Sequence, residues 1–471
     1  MRRRPLVLAL AFVLSPIAAH AEDLLQTYEL ARAGDPQFSA AESGRLVTRE
    51  GAVQARAALL PQIDGSATYR ESRSTGPSSQ TQFDPVTGQP VNFTGDSETD
   101  THSRQLGVNV NQVLFDFGRF TRVKSQNALS KASDFQLESA GDALITRTSA
   151  AYFNVLVQLE TLAAAEAAEA ALKKQFDFAS KRLEVGLAPI TDVHEARAQY
   201  DSARASTILA RNAVEDAYQA LAEITGQPVR SLKGLPDDFK PALPEAGGID
   251  QWVQTAVANN PALKAKELQV QSAEADVNTA RAGHLPTLYF NGSYGRNATW
   301  GDNTFSSGAF SSTFPIGSES RGPSFGVTLS VPIFSGGATQ SQVRQALATR
   351  DVRQDELEQQ RRGLERSARN AYQTLVAGIS EVEARRLALV SARAAYDASQ
   401  VGLEVGTRTV LDVLTNQRNL FSAQQAYAQA KYNYLQNRLL LEQAAGTLDV
   451  DDVQDVNRLL TVDVNPATTR Q

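Results

Sequence analysis

The chain has 471 residues, with 46 basic and 52 acidic side chains, four histidines and no cysteine. A net charge of −6 at pH 7 argues against nucleic acid as a partner and does not call for an anionic membrane surface. The missing cysteine excludes a disulfide framework, a thiolate metal site and a lipid carried on an N-terminal cysteine.

Residues 1–21 read as a secretory signal peptide. Arg2, Arg3 and Arg4 precede an apolar run from Leu6 to Leu14, and Ala19-His20-Ala21 is a small-x-small cleavage site before Glu22. No later apolar run reaches the ~18 residues of a membrane helix, so any membrane crossing must use strands. A helical pattern rich in Ala, Arg and Glu runs from about Asp23 to Leu59 and stops at Leu60-Pro61. Ile63, Gly65, Ala67 and Tyr69 then alternate with Asp64, Ser66, Thr68 and Arg70, the period of a strand. The Ser/Thr/Gly/Pro-rich stretch 71–101 reads as a long exposed loop. A second strand carries Leu106, Val108 and Val110 and closes on Phe115, Phe117 and Phe120 around Gly118. These aromatics suit a membrane-interface girdle or packing where strands give way to helices.

From about Arg119 to Val185 the pattern is helical without a proline, some ~100 Å of helix, too long for a globular domain. It ends at Arg182-Leu183-Glu184-Val185-Gly186-Leu187, which leads into Ile190-Thr191-Asp192-Val193 and a helix to Thr225. This stretch has the chemistry of a helical hairpin tip. Gly ends a helix in the left-handed conformation, and an Asp in the next first turn suits the positive helix end. After Gly226-Gln227-Pro228 comes a connector rich in proline and glycine, to 248.

The plan then repeats. A helix from about Asp250 to Gly283 is followed by His284-Leu285-Pro286, and by a strand with Leu288, Phe290, Gly292 and Tyr294 on one face. A second expected loop spans 297–322, then Phe325, Val327, Leu329 and Val331 alternate with Gly326, Thr328 and Ser330. Phe334-Ser335-Gly336-Gly337 matches 115–118, and a second long helix runs from about Thr339 to Val405. In it Ala368, Leu375, Val382 and Leu389 recur every seventh residue, with Tyr372 and Ile379 beside them, as in a coiled-coil seam. The second tip, Leu403-Glu404-Val405-Gly406-Thr407 with Val410-Leu411-Asp412-Val413, opens a helix to Ala445. Gly186 aligns with Gly406, Asp192 with Asp412 and Gly226 with Gly446, all at an offset of 220. The organisation is therefore a first repeat at 22–228, a connector at 229–248, a second repeat at 249–448 and a polar tail at 449–471, expected to be poorly ordered beyond Asp452.

Four strands of roughly 9–11 residues match an outer membrane, but four strands leave open edges that lipid does not tolerate. The chain must pair with other copies of itself: two give eight strands, three give twelve. The fold class is mainly α with a transmembrane β part.

Leu60-Pro61-Gln62, Ala151-Tyr152-Phe153-Asn154-Val155-Leu156, Val185-Gly186-Leu187 with Ile190-Thr191-Asp192-Val193, His284-Leu285-Pro286-Thr287, and Val405-Gly406-Thr407-Arg408-Thr409 with Asp412-Val413-Leu414 together resemble the TolC family of trimeric outer-membrane channel-tunnels of Gram-negative bacteria. The resemblance covers almost all of 23–448. It implies a homotrimer with a twelve-stranded barrel, a periplasmic α-helical barrel, and an equatorial belt drawn from the connector and the C-terminal segment. It further implies a passive export duct for drugs, small toxic molecules or secreted proteins, seated in outer-membrane lipid. A periplasmic adaptor would couple it to an inner-membrane efflux pump or ABC exporter.

The resemblance also assigns residues. Asp412 would form a ring of three carboxylates favouring cations at the periplasmic mouth; its plainer role is a helix-start carboxylate. Thr191, Asp192 and Arg408 would form a gate latch, whose plainer counterpart is an exposed ion pair worth ~0–1 kcal/mol. Gly186, Leu187, Gly406 and Thr407 would meet the adaptor, or simply turn the chain. Two positions depart from the family: Thr415 stands where a second aspartate is expected, and Leu403 where the latch has a tyrosine. No catalytic motif, nucleotide loop, cofactor site or metal-ligand spacing is visible, so an enzyme is not expected. The competing reading is a structural or adaptor coiled-coil protein, which would carry one helical hairpin between small β-domains rather than two. A diffusion porin is weakened by having only four strands per chain.

Overall fold

The computed structural model of the protein describes residues 23–83, 86–187, 189–236, 238–243, 247–308 and 310–464. The expected signal peptide lies outside them. The chain forms two compact units: one of Leu46–Ser133 with Lys266–Glu356, the other of the remainder.

The first unit holds the sheet. Helix α1 (Leu24–Gly34) belongs to the other unit; α2 (Pro36–Ala57) leads to β1 (Gln62–Phe83) and β2 (Pro90–Phe115), and α3 (Phe117–Glu184) follows. After α4 (Ile190–Thr225), β3 (Leu232–Gly234) and α5 (Ile249–Asn259), all in the other unit, α6 (Pro261–Ala282) leads to β4 (Thr287–Ser307) and β5 (Phe310–Ser330), then to α7 (Ala338–Glu404). The four strands form one antiparallel sheet in the order β1-β2-β4-β5, so the two repeats meet at β2–β4 and the outer edges of β1 and β5 are open. On one face Ile63, Val110 and Phe325 share a rung, and Leu288 and Leu329 another; the opposite face carries Asp64, Ser66, Asn109, Asn291 and Ser293. One apolar and one polar face is the pattern of a barrel wall between lipid and water.

Two expectations are corrected here. The segments 71–101 and 297–322 are not loops: the strands are 22, 26, 21 and 21 residues long. Their outer halves are held by cross-strand polar pairs, among them Thr81–Asn92 at 2.5 Å, Thr304–Thr313 at 2.9 Å and the Arg73–Glu98 ion pair. The sequence concealed this because alternation is visible only when one face is apolar, and here both are polar. The helices expected over 23–59 and 250–283 are each broken, at Asp35-Pro36 and Asn260-Pro261. Proline has no N–H and pushes the residue before it to an extended conformation; Asp35 has ψ 117° and Asn260 ψ 121°. Each of these residues then caps the helix that follows, accepting from Phe38 N (2.8 Å) and Leu263 N (3.2 Å).

At the helix side of the sheet, Asp116 accepts from Tyr289 Oη (3.0 Å) and pairs with Arg119 (3.4 Å), whose guanidinium reaches the Ala58 carbonyl. Below it, Thr121–Thr279 (2.7 Å) and Ser125–Ser272 (2.9 Å) join α3 to α6 through small side chains.

The second unit is helical, with α4 (Ile190–Thr225), α8 (Val410–Ala445), α9 (Val450–Leu459) and the two-stranded sheet β3 (Leu232–Gly234) with β6 (Val462–Val464). The heptad seam is its spine: Ala368, Leu375 and Val382 are buried, with Tyr372, Ile379 and Leu389 packed alongside. The tail, expected to lack order beyond Asp452, instead forms α9 and β6. Asp449 and Asp452 make a capping box, and Val453 and Val456 are fully buried. A short amphipathic helix hides inside a polar composition when only one stripe faces the core.

Tyrosine hydroxyls fix the connector. Tyr152 donates to Lys233 O (2.9 Å) and accepts from Lys233 N (2.8 Å). Tyr434 does the same with Ala242 (2.5 and 3.2 Å), and Tyr432 accepts from Leu235 N (3.4 Å) while donating to Glu160 (2.9 Å). Buried Lys431 pairs with the same carboxylate at 3.1 Å. Burial pushes the Tyr432 phenol well above its usual range, and the Glu160 charge adds to the shift.

Candidate functional site: the two hairpin tips

The two tips have the same backbone. Gly186 and Gly406 adopt φ of 74° and 77°, the left-handed region that a side chain disfavours. Around them Leu187 N donates to Arg182 O (2.7 Å) and Gly186 N to Leu183 O (2.9 Å); Thr407 N donates to Gly402 O (2.8 Å) and Gly406 N to Leu403 O (3.2 Å). This paired pattern satisfies the last carbonyls of α3 and α7. Leu187 is 68 % exposed, while Thr407 folds back to donate its hydroxyl to Gly402 O at 3.2 Å.

The second helices begin differently. Thr409 caps α8: its hydroxyl accepts from Asp412 N (3.2 Å), and Asp412 Oδ2 accepts from Thr409 N and Oγ1, both at 2.9 Å. These bonds from Thr409, aided by the nearby Arg408 charge, hold the Asp412 carboxyl below the usual carboxylate range, so it stays ionised. The helix-start role thus belongs to Asp412 in this chain, and the same bonds make it a fixed negative charge. In the first repeat Pro189 stands at the cap position and offers no side-chain bond, leaving Asp192 half-buried and without a capping partner.

Asp192 and Arg408 line one cleft of about 630 Å³ between the tips, together with Arg182, Glu195, Leu403 and Glu404. Among the described residues no ion pair joins them. Thr191 is exposed in the first turn of α4, and Thr415 is exposed one turn beyond Asp412. Sequence reasoning missed two members. Arg182 donates to Leu187 O (3.2 Å) and lies over the Phe178 ring at 5.7 Å. Gly402 is buried beneath Arg408: a Cβ there would lie 2.6 Å from Arg408 Cγ. The signal was present, since Arg182 and Gly402 occupy the same repeat position. One tip carries its arginine before the turn, the other carries it after, with glycine opposite to make room.

A sheet with one apolar face and open edges, in a chain whose long helices end in charged tips, defines a membrane channel protein of the β-barrel class. The sequence matches the outer membrane efflux protein family over residues 27–227 and 252–447, and the chain belongs to that family. It is 32% identical to the outer membrane protein TolC of Vibrio cholerae serotype O1 over 97% of this chain and 98% of that one. It is 29% identical to the alkaline protease secretion protein AprF of Pseudomonas aeruginosa, covering 96% and 90% of the two chains. Among solved structures, the Campylobacter jejuni CmeC outer membrane channel superposes with a TM-score of 0.70 at 18% identity, over 94% of this chain and 90% of that one. The protein is an outer-membrane protein, and its function is that of the family, efflux across that membrane.

Proposed function

We propose that the protein is a passive export duct, closed at its periplasmic end by the two hairpin tips. Three copies, each giving four strands, make a twelve-stranded barrel in which the open edges of β1 and β5 pair between neighbours. The helices wall the tunnel in the periplasm. Energy comes from an inner-membrane efflux pump or ABC exporter, reached through a periplasmic adaptor that docks on Gly186, Leu187, Gly406 and Thr407. The exported class is drugs and small toxic molecules, secreted proteins, or both, and no catalytic step is involved. The exposed aromatics Phe115, Phe117, Phe120 and Phe334 suit a girdle at the inner interface or packing where strands give way to helices.

The observation that carries this reading is the pair of tips with the same glycine turn, the second of which holds a fixed carboxylate. Asp412, held ionised by Thr409, is repeated by threefold symmetry into a carboxylate ring that favours cations. Among the described residues Arg408 forms no ion pair, its charge only lying near Asp412, and the latch forms between Arg408 and Asp192 or Thr191 of adjoining copies. The test is single-channel recording of the purified protein in a planar bilayer. Small cation-selective steps are expected, growing in Arg408→Ala and losing selectivity in Asp412→Asn. A folded, membrane-inserted oligomer that passes no current would refute the duct.

A further inference from the structure

The apolar face of the sheet ends, on the side of the β1–β2 and β4–β5 turns, in three arginines. Arg296 stands directly across from Arg321, and Leu106 is the neighbour of Arg296 on the other side. Arg104 pairs with Ala298, two residues further along. All three are exposed. Glu319 neutralises Arg296, but no carboxylate among the described residues pairs with Arg104 or Arg321. Like charges directly opposite one another destabilise a sheet. Glu319 answers one of this pair, and on the rungs beyond the same face turns acidic at Glu71, Asp100 and Asp302, but Arg321 and Arg104 are left for an anion of the surrounding medium.

The neighbourhood narrows the anion. Beside Arg296 lies a shallow cleft of about 510 Å³ lined by Gly65, Ala67, Leu106, Val108 and Tyr294. Nothing comes within 4 Å of where a Gly65 Cβ would stand, so the cleft is open to an apolar chain. Level with Arg104 and one rung beyond it, Tyr69, His102 and Trp300 form an aromatic row with ring centroids 5.9–6.4 Å apart, and Tyr69 and Trp300 are exposed. Apolar cleft, guanidinium groups and flat aromatic rings follow one another along the strands in the order acyl chain, phosphate and sugar. Arg104 and Arg321 are two strands and one rung apart, roughly 12 Å at ~4.8 Å per strand and ~3.4 Å per residue, a span suited to a disaccharide with a phosphate at each end.

We infer that this patch is a binding site for a bisphosphorylated glycolipid of the outer leaflet. One acyl chain lies in the Gly65–Tyr294 cleft, the phosphates meet Arg104 and Arg321, and the sugars rest against Tyr69 and Trp300. The inference rests on the reading of the sheet as a barrel wall with its apolar face to lipid.

The experiment uses the full chain, purified from outer membranes as its oligomer in mild detergent, with bound lipid read by native mass spectrometry. A bisphosphorylated diglucosamine lipid, its dephosphorylated form and phosphatidylglycerol are supplied in equal amounts. The wild type is expected to retain the bisphosphorylated lipid about tenfold or more over the other two, as charge-assisted contacts require. The combined variant Arg104→Gln, Arg296→Gln, Arg321→Gln is expected to lose that preference. Should it fail to assemble, Arg321→Gln alone, at an exposed position, is expected to weaken retention. Equal retention of the dephosphorylated lipid or of phosphatidylglycerol, or an assembled variant with undiminished preference, overturns the inference. Loss of lipid preference in a conducting channel counts against this site alone; lipid preference without conductance counts against the duct alone.

Discussion

Replacing Gly402 by alanine separates the position of Arg408 from its charge. The added Cβ would lie 2.6 Å from Arg408 Cγ, 3.2 Å from its Cβ and 3.3 Å from Thr407 Oγ1. Both arginine atoms are at the root of the side chain, so the contact is relieved only by a new χ1. Leaving a rotamer minimum costs about 0.5–1.5 kcal/mol, while alanine in place of glycine in the last turn of α7 returns about 0.8–1 kcal/mol. These offset within ~1 kcal/mol, so the tip still folds. The guanidinium, however, points elsewhere. If it carries a charge-assisted latch worth ~1.5–3 kcal/mol, the closed-to-open ratio falls about 10- to 150-fold for each latch lost. Single-channel recording should therefore show Gly402→Ala opening the channel nearly as far as Arg408→Ala, with heat stability of the oligomer unchanged. A Gly402→Ala channel indistinguishable from wild type, beside an Arg408→Ala channel that opens, would refute the claim that glycine 402 places the arginine. Wild-type conductance in both would remove the latch itself.

Further outcomes follow from the same geometry. Leu403 lines the tip cleft, and Leu403→Tyr adds a hydroxyl there; the expected result is smaller steps than wild type in the same bilayer assay. Tyr432→Phe leaves Leu235 N without its partner and removes a bond to Glu160, which should cost about 1–3 kcal/mol and lower the thermal midpoint of the helical unit by calorimetry. Burial, and the neighbouring Asp452 and Asp449 carboxylates, push the Glu442 carboxyl up to about 8 against the opposing pull of Arg438. Because the folded value is raised, the stability associated with the protonated form is complete below about pH 4, where a free glutamate is protonated, and is lost as pH rises through about 8. Cleavage of the α8–α9 junction by a protease should accelerate between pH 6 and pH 9 in the wild type and stay flat in Glu442→Gln; a flat wild-type profile would refute the assignment.

Much of this protein is determined by short-range pattern. The offset of 220 between Gly186 and Gly406, the seventh-residue recurrence from Ala368 to Leu389, and the alternation from Ile63 to Tyr69 each express a local geometry, and each element formed where its period placed it. Propensity, capping and amphipathic period act over a few residues, so they are written in the sequence directly. Other features depend on residues far apart in the chain. The outer halves of the strands exist because Arg73 finds Glu98 and Thr304 finds Thr313 across a ladder; in a polar stretch only the partner strand distinguishes strand from loop. The C-terminal helix formed because Val453 and Val456 had a core to enter, and the connector is ordered because tyrosines more than 80 residues away hold its backbone. Likewise the sequence supplied Arg408 and Asp192, but only tertiary packing set Arg408 on a bare Gly402, used Asp412 to close its own helix and left Asp192 facing a cleft. Local period specifies which elements form, and the meeting of distant side chains decides what each charged residue is free to do.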